Sequence, residues 1–132
     1  MTVLIVDDEV DVLRCTSIIL KSVGYEILAA DGGDEALVLC ESNVIDLMIS
    51  DVAMPRMNGC ALAACMNAKY PDVPILFMSG YPESKEIVAG LTARGFAHGY
   101  TYLQKPFRSE DLLQAIKMAF RSVGSKLAVT IH

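Results

Sequence analysis

Asp51 stands at the end of an apolar run in LMISDVAMPRMNG, residues 47–59, and three other apolar runs also end in groups able to do chemistry. Residues 3–6 lead into Asp7 and Asp8 with Glu9 behind them, residues 73–78 into Ser79-Gly80, and residues 100–104 into Lys105-Pro106. Each has an ordinary structural explanation when taken singly. Acids cap helices and shape turns, Ser-Gly makes a turn, and a lysine sits in solvent. Brought to one place, however, the carboxylates of Asp7, Asp8 and Asp51 repel one another unless a cation compensates them, and a hard divalent ion with oxygen ligands does so. Mg²⁺ suits this set best because it takes one or two carboxylates, keeps waters and accepts phosphate oxygens. Lys105 would neutralise a second anionic group, and Ser79 would donate a hydrogen bond to it. The chemistry that fits is phosphoryl transfer onto Asp51, which as an ionised carboxylate forms an acyl phosphate without a general base. Metal and lysine would meet the charge on the moving group.

Convergence of those residues requires a parallel sheet. Residues 3–6, 26–30, 47–50, 73–78 and 100–104 each read as a strand, and longer segments with helical spacing lie between them. Val10, Leu13, Leu20 and Val23 mark the inner stripe of the first helix, and Leu112, Ile116, Ala119, Phe120 and Val123 that of the last. Ser109 is placed to cap the last helix, with Glu110 and Asp111 in its first turn, and Gly24 to stop the first. Strand and helix alternate five times, and strands this apolar require a sheet covered on both faces: a doubly wound α/β layer. The carboxyl ends of all strands then share one edge, where open α/β folds bind ligands.

Length and composition narrow the class. The 132 residues suit one domain. Hydrophobic residues make up 53% of the chain, yet no apolar run approaches the ~18 residues of a membrane span. The N-terminus has no basic region ahead of its short apolar stretch, so it does not read as a signal peptide, and a cytoplasmic protein is expected. A net charge of −5 and a pI near 4.9 argue against direct nucleic-acid binding. Cys15, Cys40, Cys60 and Cys65 lie among aliphatic residues without CxxC or histidine neighbours, and are expected as buried, reduced thiols. His98 and His132 have no ligand spacing.

The runs VLIVDDE, LMISDVAMPRMNG, ILFMSGY and YLQKPF together resemble bacterial two-component response-regulator receiver domains, in order and in spacing, from Val3 to about Val123. The resemblance implies the flavodoxin-like strand order 2-1-3-4-5. It implies Asp51 as phosphoacceptor, Asp7 and Asp8 as Mg²⁺ holders together with an oxygen of Asp51 and the backbone carbonyl of Ala53, and Lys105 as the cation on the phosphoryl oxygens. Ser79 would be the switch hydroxyl and Tyr102 the aromatic switch residue, and the Lys105-Pro106 bond matches a position often cis. The implied partners are a histidine kinase or histidine phosphotransfer protein and a downstream protein, with a homodimer left open. Arg14 and Ile18 on the first helix could face a histidine-bearing helix bundle. No enzymatic turnover is implied beyond assistance to the domain's own phosphorylation and dephosphorylation. Residues 1–123 would form the receiver and residues 124–132 a C-terminal tail, frayed or paired as a strand through Leu127, Val129 and Ile131, with no output domain. The reading is a single-domain regulator or phosphorelay shuttle; the alternative is an excised C-terminal receiver of a hybrid histidine kinase. An interaction scaffold that accepts no phosphate would lack an acid, the hydroxyl or the lysine, and all are present.

Some features depart from that pattern. The interval from Ser79 to Lys105 is longer than in compact family members, and the surplus falls in RGFAHGY, residues 94–100, as in receivers of hybrid kinases. The resemblance puts Ala53 and Tyr81 at positions that in the family help control water attack on the phosphoryl group. A small Ala53 would not orient water and Tyr81 would partly screen it, so slow dephosphorylation without a partner is expected. Met54 and Met57 should pack beneath the loop after Asp51, which Pro55 and Gly59 shape. GGDE at residues 32–35 is similar to a diguanylate cyclase signature, but Ala36 and a helical pattern follow, so it reads as a helix entry. No GxGxxG or GxxxxGK[ST] loop supports nucleotide binding, and VDDEV does not supply the DxD of haloacid dehalogenase phosphatases.

Overall fold

The computed structural model describes residues 1–90 and 101–131, with side chains described for residues 1–90 and 101–121. In chain order the elements are β1 (Thr2–Val6), α1 (Val10–Ser22), β2 (Glu26–Ala30), α2 (Gly33–Ser42), β3 (Leu47–Asp51), α3 (Gly59–Lys69), β4 (Ile75–Ser79), α4 (Ser84–Ala89), β5 (Thr101–Gln104) and α5 (Ser109–Ile131). All strand pairs are parallel, and the sheet order is β2-β1-β3-β4-β5. The expected flavodoxin-like doubly wound layer is therefore present. RGFAHGY, His98, Tyr100 and His132 lie outside the described residues.

Strand alternation divides the core. Val3 and Ile5 of β1, Leu47 and Ile49 of β3, and Leu76 and Met78 of β4 face Leu20 of α1 and Leu112, Ile116 and Ala119 of α5. The residues between them, Leu4, Val6 and Met48, face Ala36 and Cys40 of α2 and Leu62 and Met66 of α3. Phe77 closes a third cluster with Val52, Ala63 and Val88. Register keeps these rows aligned, Val3 opposite Leu47 and Ile49 opposite Leu76. Truncating one fully buried leucine here would cost ~2–5 kcal/mol.

The helix ends follow local chemistry. Gly24 stops α1 as expected. With φ at +97° it donates to the Lys21 carbonyl at 3.1 Å, while Tyr25 N–H reaches the Leu20 carbonyl at 3.1 Å, a Schellman closure. Asn58 caps α3 by accepting from Ala61 N–H at 2.8 Å. GGDE opens α2, with Gly32 before its first residue.

Four expectations need correction. Ser109 is the first residue of α5 rather than its cap; Asp111 reaches back to Arg108 N–H at 3.1 Å, the second half of a capping box, and this bond pulls the Asp111 carboxyl below its usual range. Val10 and Val23 are exposed, because the inward stripe of α1 runs through Thr16 and Leu20 and the end residues fall off it. Cys15 and Cys65 are exposed instead of buried; Cys15 is one residue, about a quarter turn, off that stripe. The helical backbone of α5 does not stop at Val123 but runs through Gly124 to Ile131: one glycine costs only ~1 kcal/mol in a helix and no proline intervenes. Among the described residues, no helix is long and apolar enough to cross a membrane.

Candidate functional site

The parallel sheet delivers Asp7, Asp51, Ser79 and Lys105 to its carboxyl edge. Asp51 and Ser79 are the last residues of β3 and β4. Asp7 and Lys105 lie one residue past β1 and β5 yet stay on the ladder, Asp7 N–H donating to Ala30 at 3.1 Å and Lys105 N–H to Ser79 at 2.8 Å. Rigid backbone thus fixes these four side chains. The Lys105-Pro106 bond is cis, as expected.

Asp7, Asp8 and Asp51 each offer a carboxylate oxygen, and these atoms lie within 4.8 Å of one another. Asp7 and Asp51 are buried and Asp8 is exposed. Lys105 Nζ lies 2.7 Å from Asp7 Oδ2, 3.2 Å from Glu9 Oε1 and 3.5 Å from Asp51 Oδ2. Asp7 Oδ1 accepts from Glu9 N–H at 2.9 Å, which leaves that buried carboxylate well satisfied. Three carboxylates therefore share the Lys105 ammonium, and among the described residues Asp8 adds a fourth beside them without an ion pair to it. The imbalance shows on Asp51, whose pKa rises to about 6 because burial and the Asp7 charge outweigh Lys105 and the Ala53 backbone N–H. Burial acts to lower the Lys105 pKa, but hydrogen bonding and charge from Asp7, with Asp51 and Glu9, hold it above its ordinary value.

Above Asp51 lies a cleft of about 340 Å³ lined by Asp8, Glu9, Ala53, Gly80 and Tyr81. A larger cavity of about 600 Å³, between the C-terminal ends of α2 and α3, opens at the opposite end of the sheet and contains none of these groups. Gly59 sets the wall of the site: its N–H donates to the Val52 carbonyl at 2.8 Å, and a Cβ there would meet the Asp51 carbonyl oxygen at 2.2 Å. Met54 is buried beneath the loop and Met57 packs against the same core, as expected.

Ser79 and Tyr102 belong to an adjoining network. The buried Ser79 hydroxyl donates to Ser84 Oγ at 2.8 Å and accepts from Tyr81 N–H at 3.0 Å. The Tyr102 hydroxyl lies 3.4 Å from the Tyr81 carbonyl and 3.2 Å from Gln104 Oε1, and burial of its ring against the Phe77 cluster raises its pKa. Both residues thus hold opposite sides of one peptide unit's residue, Tyr81. Sequence reasoning missed two participants. Glu9 was visible in VDDE but had no assigned partner, and Ser84 gave no signal beyond a serine at a helix start.

Comparison with known proteins agrees with this arrangement. The family described as the response regulator receiver domain matches residues 3–117. The chain is 34% identical over 123 residues to the transcriptional regulatory protein PrrA of Mycobacterium tuberculosis, covering 93% of this chain and 51% of that protein. It is 30% identical over 118 residues to the hydrogenase transcriptional regulatory protein HoxA of Bradyrhizobium diazoefficiens, covering 89% of this chain and 24% of that protein. The chain thus spans about half, or less, of the curated relatives it matches. A signal receiver domain of an HD domain-containing protein from Pseudomonas fluorescens Pf-5 superposes with a TM-score of 0.81 at 30% identity, covering 94% of this chain and 97% of that one.

Proposed function

This chain belongs to the response regulator receiver family of two-component systems, and on that premise we propose that it takes a phosphoryl group from a phosphohistidine onto Asp51 with Mg²⁺ and so changes the surface it shows to partners. The observation that carries the proposal is the trio of carboxylate oxygens within 4.8 Å of one another, with Lys105 beside them.

The donor set fits a hard divalent cation: oxygen ligands only, and more negative charge than Lys105 balances. Asp7, Asp8, Asp51 and the carbonyl of Ala53 would hold Mg²⁺. When bound, the ion supplies charge stabilisation to the phosphoryl oxygens. Asp51 Oδ attacks phosphorus, the P–N bond to the donor imidazole breaks, and its electron pair stays on the imidazole nitrogen, which takes up a proton. Lys105, already 3.5 Å from Asp51 Oδ2, meets the transferred oxygens. The Ser79 hydroxyl leaves Ser84 for the phosphoryl group, and Tyr102 follows through their shared partner Tyr81. In the same reading a small Ala53 and an exposed Tyr81 at the cleft give a slow return. The exposed Arg14 and Ile18 on α1 meet the phosphohistidine-bearing partner, a histidine kinase or phosphotransfer protein.

Intact-protein mass after incubation with acetyl phosphate and Mg²⁺ tests this. One phosphoryl adduct is expected that requires Mg²⁺ and is lost in Asp51→Asn. An adduct that persists in that variant would place the acceptor elsewhere.

A further inference from the structure

The Lys105 ammonium is already engaged before any phosphoryl group arrives. Its Nζ donates to Asp7 Oδ2 at 2.7 Å and to Glu9 Oε1 at 3.2 Å, and stands 3.5 Å from Asp51 Oδ2. The two acceptors differ in what they could give up. Asp7 is fully buried and belongs to the carboxylate trio, so it needs the opposite charge beside it. Glu9 lies outside that trio, and its side chain is 62% exposed. It occupies the N-cap position of α1, yet its side chain makes no cap hydrogen bond and is turned to Lys105 instead. The same residue lines the cleft above Asp51. An ion pair this exposed is weak and screened by salt, so of the two acceptors Glu9 is the one that can return to water at little cost.

We propose that Glu9 is a positioning residue that holds the Lys105 ammonium back from Asp51 and so brakes acceptance of a phosphoryl group, an inference that rests on Asp51 as the acceptor. When the group arrives, Lys105 keeps Asp7 and exchanges Glu9 for a phosphoryl oxygen, and Glu9 turns to solvent. The brake acts on the transferred phosphoryl group, which every donor shares, and not on the leaving group.

Labelling rates of the full chain with Mg²⁺, followed by intact mass, test this with two donors: acetyl phosphate, which releases an acetate anion, and phosphoramidate, which releases ammonia. Glu9→Gln keeps the shape of the side chain and removes its charge. It should label about threefold faster than the parent with either donor, the weight of one exposed ion pair. In about 1 M salt, where the Debye length is ~3 Å, that advantage should shrink toward none. In a Lys105→Met background Glu9→Gln should change nothing, because the other end of the tether is gone. Equal rates for parent and Glu9→Gln would overturn the proposal. So would an advantage confined to acetyl phosphate, or one that persists without Lys105, since Glu9 would then act only by repelling anions. The contact also has a readout that needs neither donor nor metal: in chelator, the side-chain nitrogen resonance of Lys105 should move in Glu9→Gln, and an unmoved resonance would deny the tether. A parent that takes no adduct from either donor would overturn the acceptor reading, and this inference with it, even where that resonance moves.

Discussion

Asp51 holds its proton more tightly in the fold than in the unfolded chain, at about 6 against 3.8, because burial and Asp7 disfavour its charge. A raised carboxyl pKa contributes stability that is fully present below 3.8 and is lost as pH rises through about 6. At neutral pH the ionised, metal-free site therefore destabilises the fold by an amount on the order of 2–3 kcal/mol. Urea unfolding in chelator at pH 7.5 should find Asp51→Asn more stable than the parent by that order, and the gap should close below about pH 4. A variant less stable than the parent at pH 7.5 would mean that Lys105 already compensates the cluster. Ser84 permits a second residue-scale prediction. Its Oγ holds the Ser79 hydroxyl at 2.8 Å, away from any group on Asp51. Ser84→Ala removes one competing hydrogen bond, so affinity for beryllofluoride with Mg²⁺, a phosphoryl mimic, should rise about fivefold by titration calorimetry. Unchanged or weaker binding would deny Ser84 a restraining role.

At the scale of elements, two glycines separate conformational need from close approach. Gly24 ends α1 at φ +97° with nothing near its missing Cβ, so alanine there pays only backbone strain, ~1–2 kcal/mol. Gly59 opens α3 against the Asp51 carbonyl, and alanine would push the β3–α3 loop from the site. Both variants should unfold at lower urea concentration, but only Gly59→Ala should also slow labelling by acetyl phosphate. Equal labelling in the two would show that the loop yields without moving Asp51. The strands and the gathering of the polar residues at their tips were legible in the sequence because a parallel sheet covered on both faces demands apolar runs, and every carboxyl end must reach the same edge. Less legible were features decided by a single turn of helix or by one hydroxyl. Cys15 lies a quarter turn from the α1 stripe, α5 lacks a residue strong enough to stop it at Val123, and the link between Ser79 and Tyr102 runs through the backbone of Tyr81, which no side-chain pattern records.

For the molecule as a whole, the tips of β1, β3 and β5 assemble the charge cluster only in the folded state, so a cation that binds it must stabilise the entire fold. At 100 times its dissociation constant Mg²⁺ would add about 2.7 kcal/mol, a Tm rise of roughly 10 °C for a domain this size. Asp51→Asn contributes no ionised ligand and should gain much less. The gap in stability at pH 7.5 must then narrow: the variant is the more stable in chelator, the two come close at that Mg²⁺ concentration, and the parent overtakes only at higher Mg²⁺. Thermal unfolding of both proteins across a Mg²⁺ titration reads this directly. Repeating it near pH 4 should shrink the parent's gain, because protons compete with the ion for the same carboxylates. Parallel titration curves for parent and variant, with no crossing, would mean that Mg²⁺ binds elsewhere on an acidic surface and that the trio at the sheet edge does not hold it.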